Sequence, residues 1–358
     1  MKYNRVYNFG AGPASLPIEV LEEIQSELLN YQGTGLSVME MSHRSKEYQT
    51  IFDETEKALR EIMNIPDNYK VLFLQGGATS EFSAIPLNLM NTGKADYIVS
   101  GNFAKKAAEE AKKYGEVRVI GDSKDENYSY IPKNVRANDD SDYLYICLNN
   151  TIYGTQFNEL PVANNLVGDA SSCILGRKID VNKFDLLYAG AQKNIGIAGL
   201  TVVIIKEDLL GKAKTFTPAM FDFAIQSKNG SMYNTPPCFA IYVAGKVFKW
   251  VKKQGGVEKI EEVNRQKAKL LYNYLDGSKL FKPTAKKSDR SIMNVTFVTG
   301  NEELDKRFVA YCKENNIIGV KGHRLVGGMR ASLYNAIDVE NVKYLIEVMK
   351  RFEDNYES

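Results

Sequence analysis

The sequence predicts an α/β protein, with a large domain around a mainly parallel, doubly wound, seven-stranded sheet and a smaller α+β domain beside it. Three observations predict this. Seven short apolar runs (VLFLQ, ADYIVS, EVRVI, YLYICL, LVGDAS, LLYAG and TVVIIK) lie between Val71 and Lys206, with helical patterns in several of the intervals. At 358 residues the chain is longer than one small core fills, so two domains are expected. Beyond the Gly255-Gly256 break, long helical patterns surround a single strong strand candidate, RSIMNVTFVT. The domains are therefore drawn as residues 16–256, and 1–15 plus 257–358.

Each element has its own signal. The entry GAGPASLP is punctuated by glycine and proline and has no periodicity; Pro17 then opens a helix to Asn30 with Ile18, Leu21, Ile24 and Leu28 on one face. GTGLSVMEMSHRS reads as an exposed loop, and a second helix over Glu47–Met63 turns Ile51, Ala58, Leu59 and Ile62 inward. VLFLQ, GGATS and EFSAIPLNLM form a strand, a glycine turn and a helix; ADYIVS leads to a helix over Asn102–Tyr114. TVVIIK follows LLYAG too closely for a helical crossover, so that pair is expected to be antiparallel. The stretch from Ile205 to Pro236, ending in SKNGSMYNTPP, reads as a long loop, and loops of that length are often functional. Helices are expected at Cys238–Lys253, Val257–Leu275, Glu302–Asn315 and Asp338–Phe352, with the short run NIIGV before KGHRLVGGMR.

Composition excludes several classes of function. An apolar share of 44% with 25% charged residues is that of an ordinary soluble globular protein. A net charge of +2, from 46 basic and 44 acidic side chains interspersed along the chain, gives no reason to expect nucleic acid or a membrane as partner. No apolar run approaches the roughly 20 residues that span a bilayer, and the first residues are too polar for a secretory signal. Cys147, Cys173, Cys238 and Cys312 have no CxxC spacing, so a reduced cytoplasmic setting is expected, with neither a disulfide framework nor a zinc site. Two histidines are too few for a histidine-based metal site.

Candidate chemistry gathers where a parallel sheet collects ligands, beyond the carboxyl ends of its strands. Lys193 stands in AQKNIGIAG after LLYAG, among Gly190, Ala191, Gly196, Ala198 and Gly199 and with no carboxylate close in sequence. An amine kept from water without an anionic partner can attack an aldehyde and form a Schiff base. The Gly76-Gly77 turn presents Ala78 and Thr79 at a helix N-terminus, where backbone N–H groups suit a phosphate. Phe103 follows ADYIVS, and Thr151 follows YLYICLNN. Asp169 ends LVGD and admits two readings, a cap after the strand or a carboxylate that keeps a pyridine nitrogen protonated. Both histidines precede an arginine, His43-Arg44 and His323-Arg324, and such pairs suit an anion.

These motifs together resemble the phosphoserine aminotransferases, fold-type I pyridoxal-phosphate enzymes of the class V aminotransferases. FGAGPASLP, SHRSKE, QGGATSEF, YAGAQKNIGIAGLTVVI, NGSMYNTPP and KGHRLVGGMRASLYNA match that family's signatures in its order, over essentially the whole chain. The resemblance implies pyridoxal 5′-phosphate held by Lys193 as a Schiff base, with Asp169 on the pyridinium nitrogen and Phe103 stacked on the ring. It implies Ala78, Thr79 and Gln192 at the cofactor phosphate and Thr151 near the ring oxygen. Asn234 and Thr235 would reach the neighbouring subunit's cofactor in a homodimer. Arg330 would take the substrate α-carboxylate, while His43, Arg44, His323 and Arg324 surround the distal anion, Arg44 coming from across the interface. Some family members carry tryptophan where Phe103 stands and arginine where Thr79 stands.

The implied reaction is L-glutamate plus 3-phosphohydroxypyruvate giving 2-oxoglutarate plus O-phospho-L-serine, in serine biosynthesis. 4-Phosphohydroxy-L-threonine of vitamin B6 synthesis is a second candidate substrate. A cysteine desulfurase, a small-carboxylate aminotransferase such as an alanine–glyoxylate enzyme, and a nucleotide-binding module are the competing readings. The first needs a reactive cysteine on a mobile loop, the second has little use for four distal cationic groups, and the third leaves Lys193 without a role.

Overall fold

The computed structural model describes residues 2–357. Along the chain come β1 (Tyr7–Asn8), α1 (Ile18–Glu27), α2 (Lys46–Met63), β2 (Tyr69–Gly76), α3 (Glu81–Leu89), β3 (Lys94–Val99), α4 (Asn102–Ala111) and β4 (Glu116–Asp122). After them run β5 (Leu144–Cys147), β6 (Asn149–Asn150), β7 (Thr155–Gln156), β8 (Leu166–Asp169), β9 (Leu186–Gly190) and β10 (Gly199–Lys206). Next are α5 (Phe223–Lys228), α6 (Cys238–Lys253), α7 (Gly256–Gly277), β11 (Lys282–Pro283), β12 (Asn294–Val298), α8 (Glu302–Glu314), β13 (Ile317–Ile318), β14 (Met329–Ser332) and α9 (Val339–Glu357).

The expected sheet is present, with seven strands in the order β2-β10-β9-β8-β5-β3-β4. All pair in parallel except β10, which runs antiparallel to both neighbours, as the short link from LLYAG predicts. Side-chain alternation buries both faces: on β2, Val71 and Phe73 join one apolar cluster while Leu72 and Leu74 join the other. A three-stranded antiparallel sheet, β11-β12-β14, lies in the C-terminal part, and β1 pairs in parallel with β13. Among the described residues no helix is long and apolar enough to cross a membrane.

Several expected elements differ in detail. The first helix stops at Glu27, before the expected Asn30, and its fully buried face is Val20 and Ile24. The 33–45 loop is not simply exposed. Ser37 and Glu40 form a capping box on a single 3-10 turn, which sinks Val38 and Met41 into the core. Nor is 206–236 all loop. Asp222 caps the short helix α5, Phe223 is fully buried, and the buried Ser231 hydroxyl accepts the Phe73 N–H at 2.9 Å. Polar composition misleads here because that hydroxyl takes up an edge N–H of β2.

Candidate active site

The carboxyl ends of β2, β3, β5, β8 and β9 share one edge of the sheet, and the candidate residues collect there. Lys193, half-buried, follows β9 in a turn whose Gln192 carbonyl accepts the Ala14 N–H at 2.9 Å. The N-terminal GAGP segment thereby packs on this turn: a Cβ built on Gly12, at φ +137°, would meet the Lys193 side chain at 3.4 Å. The amine of Lys193 donates to the Thr151 hydroxyl at 2.9 Å and stands 5.8 Å from the centre of the Phe103 ring. Among the described residues no carboxylate pairs with it.

Thr151 lies in the turn between β6 and β7, and its carbonyl accepts Nη1 of Arg330 at 3.0 Å. Arg330, on β14, is 8% exposed, its Nε has no partner among the described residues, and burial draws its pKa down. A guanidinium left partly unsatisfied in the interior fits an incoming carboxylate. A buried amide network holds its strand in place. Asn149 donates to Ser172 and to Asn294, and Asn294 in turn donates to Ser332 beside Arg330.

Asp169 ends β8, 5% exposed, and its carboxylate accepts the Ser171 N–H at 2.8 Å. That bond is a local turn cap, so the capping reading holds in part. Among the described residues this buried carboxylate has one neutral donor and no cation, and a protonated pyridine nitrogen meets that need. Gln192 and Ala78 converge at Gly190, where a Cβ would lie 2.8 Å from the Gln192 amide oxygen and 3.4 Å from the Ala78 nitrogen. Thr79, next to them, is exposed. A lone amine, an aromatic face, a buried carboxylate and a helix N-terminus therefore gather at the carboxyl edge of the sheet, and this donor set fits pyridoxal 5′-phosphate.

Asn234 and the Thr235 carbonyl accept the Gln75 side-chain amide, at 3.1 and 2.5 Å. His43 and Arg44 precede α2, and among the described residues no hydrogen bond or ion pair joins them to the Arg330 group. His323 and Arg324 lie in the exposed turn before β14, where the Leu325 N–H donates to His323 Nδ1 at 3.2 Å. Burial first, then Arg330, Arg324 and Lys106, hold the imidazole pKa below its usual value. Lys106 was not among the sequence candidates. It lies three residues after Phe103 on α4, one helical turn away on the same face, a spacing that could have singled it out.

Among the described residues Cys147, Cys173 and Cys312 are buried and Cys238 is half-buried, and burial pushes the Cys147 thiol up. Among the described residues no cysteine is thus exposed, as a desulfurase requires. Among the described residues no group of three or more His, Cys, Asp or Glu is placed to hold a metal ion.

This fold, with its site at the carboxyl edge of a largely parallel sheet, is that of a pyridoxal-phosphate-dependent aminotransferase, and the sequence model "Aminotransferase class-V" matches residues 6–345, which shows the class. Narrower likeness follows from individual relatives. The phosphoserine aminotransferase of Bacillus thuringiensis subsp. konkukian is 54% identical over 98% of each chain. The solved structure of phosphoserine aminotransferase from Bacillus circulans subsp. alkalophilus superposes with a TM-score of 0.96 at 44% identity, covering 98% of this chain and 99% of that one. The pyridoxal-phosphate-bound enzyme of Trichomonas vaginalis gives 0.93 at 38% identity, over 97% of this chain and 100% of the other. The chain belongs to the phosphoserine aminotransferase family.

Proposed function

We propose that the chain transfers the amino group of L-glutamate to 3-phosphohydroxypyruvate, giving O-phospho-L-serine and 2-oxoglutarate. It would act in the cytoplasm as a homodimer with shared sites. One observation carries the reading: the two oxygens of Thr151 tie the Lys193 amine to the Arg330 guanidinium. A proton-transferring group and an α-carboxylate clamp are thereby fixed relative to each other, the geometry needed to work on the Cα–H bond of an amino acid.

When bound, pyridoxal 5′-phosphate supplies a ring that accepts the electrons of that Cα–H bond and carries nitrogen from one substrate to the other. Lys193 anchors it and moves the proton at Nζ, Asp169 keeps the ring nitrogen protonated, and Phe103 covers the ring face. Ala78, Thr79 and Gln192 take the cofactor phosphate, with Asn234 and Thr235 of a second copy. Arg330 grips the α-carboxylate, and His323 and Arg324, with His43 and Arg44 of the second copy, hold the distal phosphate or carboxylate. The same cluster admits 4-phosphohydroxy-L-threonine as a further substrate. The pairing of Tyr7 and Asn8 with Ile317 and Ile318 supports grouping residues 1–15 with 257–358 as the smaller domain.

A half-reaction titration tests the proposal. Phosphoserine should convert the bound cofactor to its amine form at concentrations where serine leaves it unchanged. Equal conversion by serine would mean the distal cations do not select a phosphate.

A further inference from the structure

Residues 10–14, Gly-Ala-Gly-Pro-Ala, pack on the turn that carries Lys193, and their two glycines leave the backbone free to rotate unless it is tied down. The ties at its ends are backbone bonds. The Phe9 carbonyl accepts the Ser332 N–H at 3.0 Å, and the Ala14 N–H donates to the Gln192 carbonyl at 2.9 Å. Between them the Ala11 carbonyl accepts the Tyr334 hydroxyl at 2.8 Å, and among the described residues no other hydrogen bond reaches residues 11–13. At Gly12, one residue on, there is little spare room: an added Cβ would meet Cγ of Lys193 at 3.4 Å and Cγ of Gln192 at 3.6 Å.

Tyr334 is itself firmly held. It is buried four residues after Arg330, its hydroxyl accepts Nδ2 of Asn294 at 3.3 Å, and its carbonyl accepts the Lys267 amine at 3.0 Å. Its neighbour Asn335 donates a backbone N–H to the side chain of Asn194, next to Lys193, at 3.0 Å. The segment after Arg330 therefore reaches the Lys193 turn twice, once through Asn194 and once through residues 11–14. A long lysine stem has many rotamers, and a displacement of about 1 Å at a reacting group can cost about a hundredfold in rate.

We propose that Tyr334 is a positioning residue for Lys193: its hydroxyl clamps the Ala11 carbonyl, which keeps Gly12 against the lysine stem and the amine on Thr151. This rests on the reading of Lys193 as the proton-transferring group.

Tyr334→Phe keeps the ring and removes only the hydroxyl, and circular dichroism checks its fold. Tyr69→Phe is the comparison. It removes another buried hydroxyl, bonded to the carbonyls of Val181 and Phe184 at the opposite end of β2. In apo protein, Tyr334→Phe should speed hydrogen exchange of the Ala14 amide about tenfold, while Tyr69→Phe leaves it unchanged. Unchanged exchange in Tyr334→Phe overturns the clamp, whatever Lys193 does.

The second arm mixes holoenzyme with glutamate or 2-deuterated glutamate in a single turnover and follows conversion of the cofactor to its amine form. Tyr334→Phe should slow conversion about tenfold, with a deuterium effect at least as large as in wild type, because the Cα proton transfer is the step impaired. An unchanged rate, a slowing without a deuterium effect, or an equal slowing in Tyr69→Phe overturns the positioning role. Turnover retained by Lys193→Ala, with the exchange arm satisfied, would refute the role of the amine and leave the clamp standing.

Discussion

The Lys193 amine and the Thr151 hydroxyl stand 2.9 Å apart, joining a turn after β9 to a turn after β6. The same threonine holds Arg330 through its carbonyl, so its side chain and backbone serve two different substrate groups on the proposed reading. Thr151→Val keeps the shape and the carbonyl but removes the hydroxyl. It should lower kcat/KM about tenfold, the worth of one such bond, with little change in KM for glutamate. An increase confined to KM would show that the hydroxyl serves binding and not the amine.

Arg330→Lys keeps the charge and loses the planar fork. Because both amino-acid substrates carry an α-carboxylate, KM should rise for both, roughly ten- to a hundredfold. Arg324→Ala should instead weaken the phosphorylated substrate more than glutamate. Steady-state kinetics on both substrates separates the two patterns.

His323 is held below its usual pKa by burial and by Arg330, Arg324 and Lys106, so the free protein carries it largely as neutral imidazole at pH 7. An anion bound beside it favours the imidazolium, so binding should raise its titration midpoint and be accompanied by proton uptake. Lys106→Ala, which removes one repelling charge, should also raise the midpoint. With only two histidines in the chain, proton NMR of the ring hydrogens resolves both titrations. A midpoint unmoved by phosphoserine would remove His323 from the anion site.

Lys267 of α7 is fully buried and donates to the carbonyls of Leu333, Tyr334 and Ile337, at 2.9, 3.0 and 2.7 Å. It therefore fixes the segment just after β14. Burial draws its pKa down to about 7, with Asp338 opposing. Above that value the unfolded chain still binds the lysine proton while the folded amine, once neutral, keeps two hydrogens for its three carbonyls, so this group makes stability rise with pH up to the usual lysine range. Lys267→Met should cost about 3 kcal/mol, through carbonyls left without a donor, and abolish that rise. Urea unfolding at neutral and alkaline pH measures both.

Local patterns in the sequence single out Lys193, Asp169 and the Ala78–Thr79 turn as candidates, because strand-ending runs and glycine turns mark the carboxyl edge where a sheet gathers ligands. The sheet itself was legible for the same reason, down to the antiparallel β10. What stayed hidden depends on distant contacts. The Arg330–Thr151 bond joins residues 179 apart, and the Tyr334–Ala11 bond joins residues 323 apart. Ser231 and Met41 misled because polarity and loop context say little about a residue that another element covers.

The most direct measurement replaces Lys193 by alanine and records the visible absorption of the protein with pyridoxal 5′-phosphate, together with turnover. The account predicts that the absorption of the lysine-bound cofactor disappears and that turnover falls to background. Retention of that absorption, or of wild-type turnover, would contradict it.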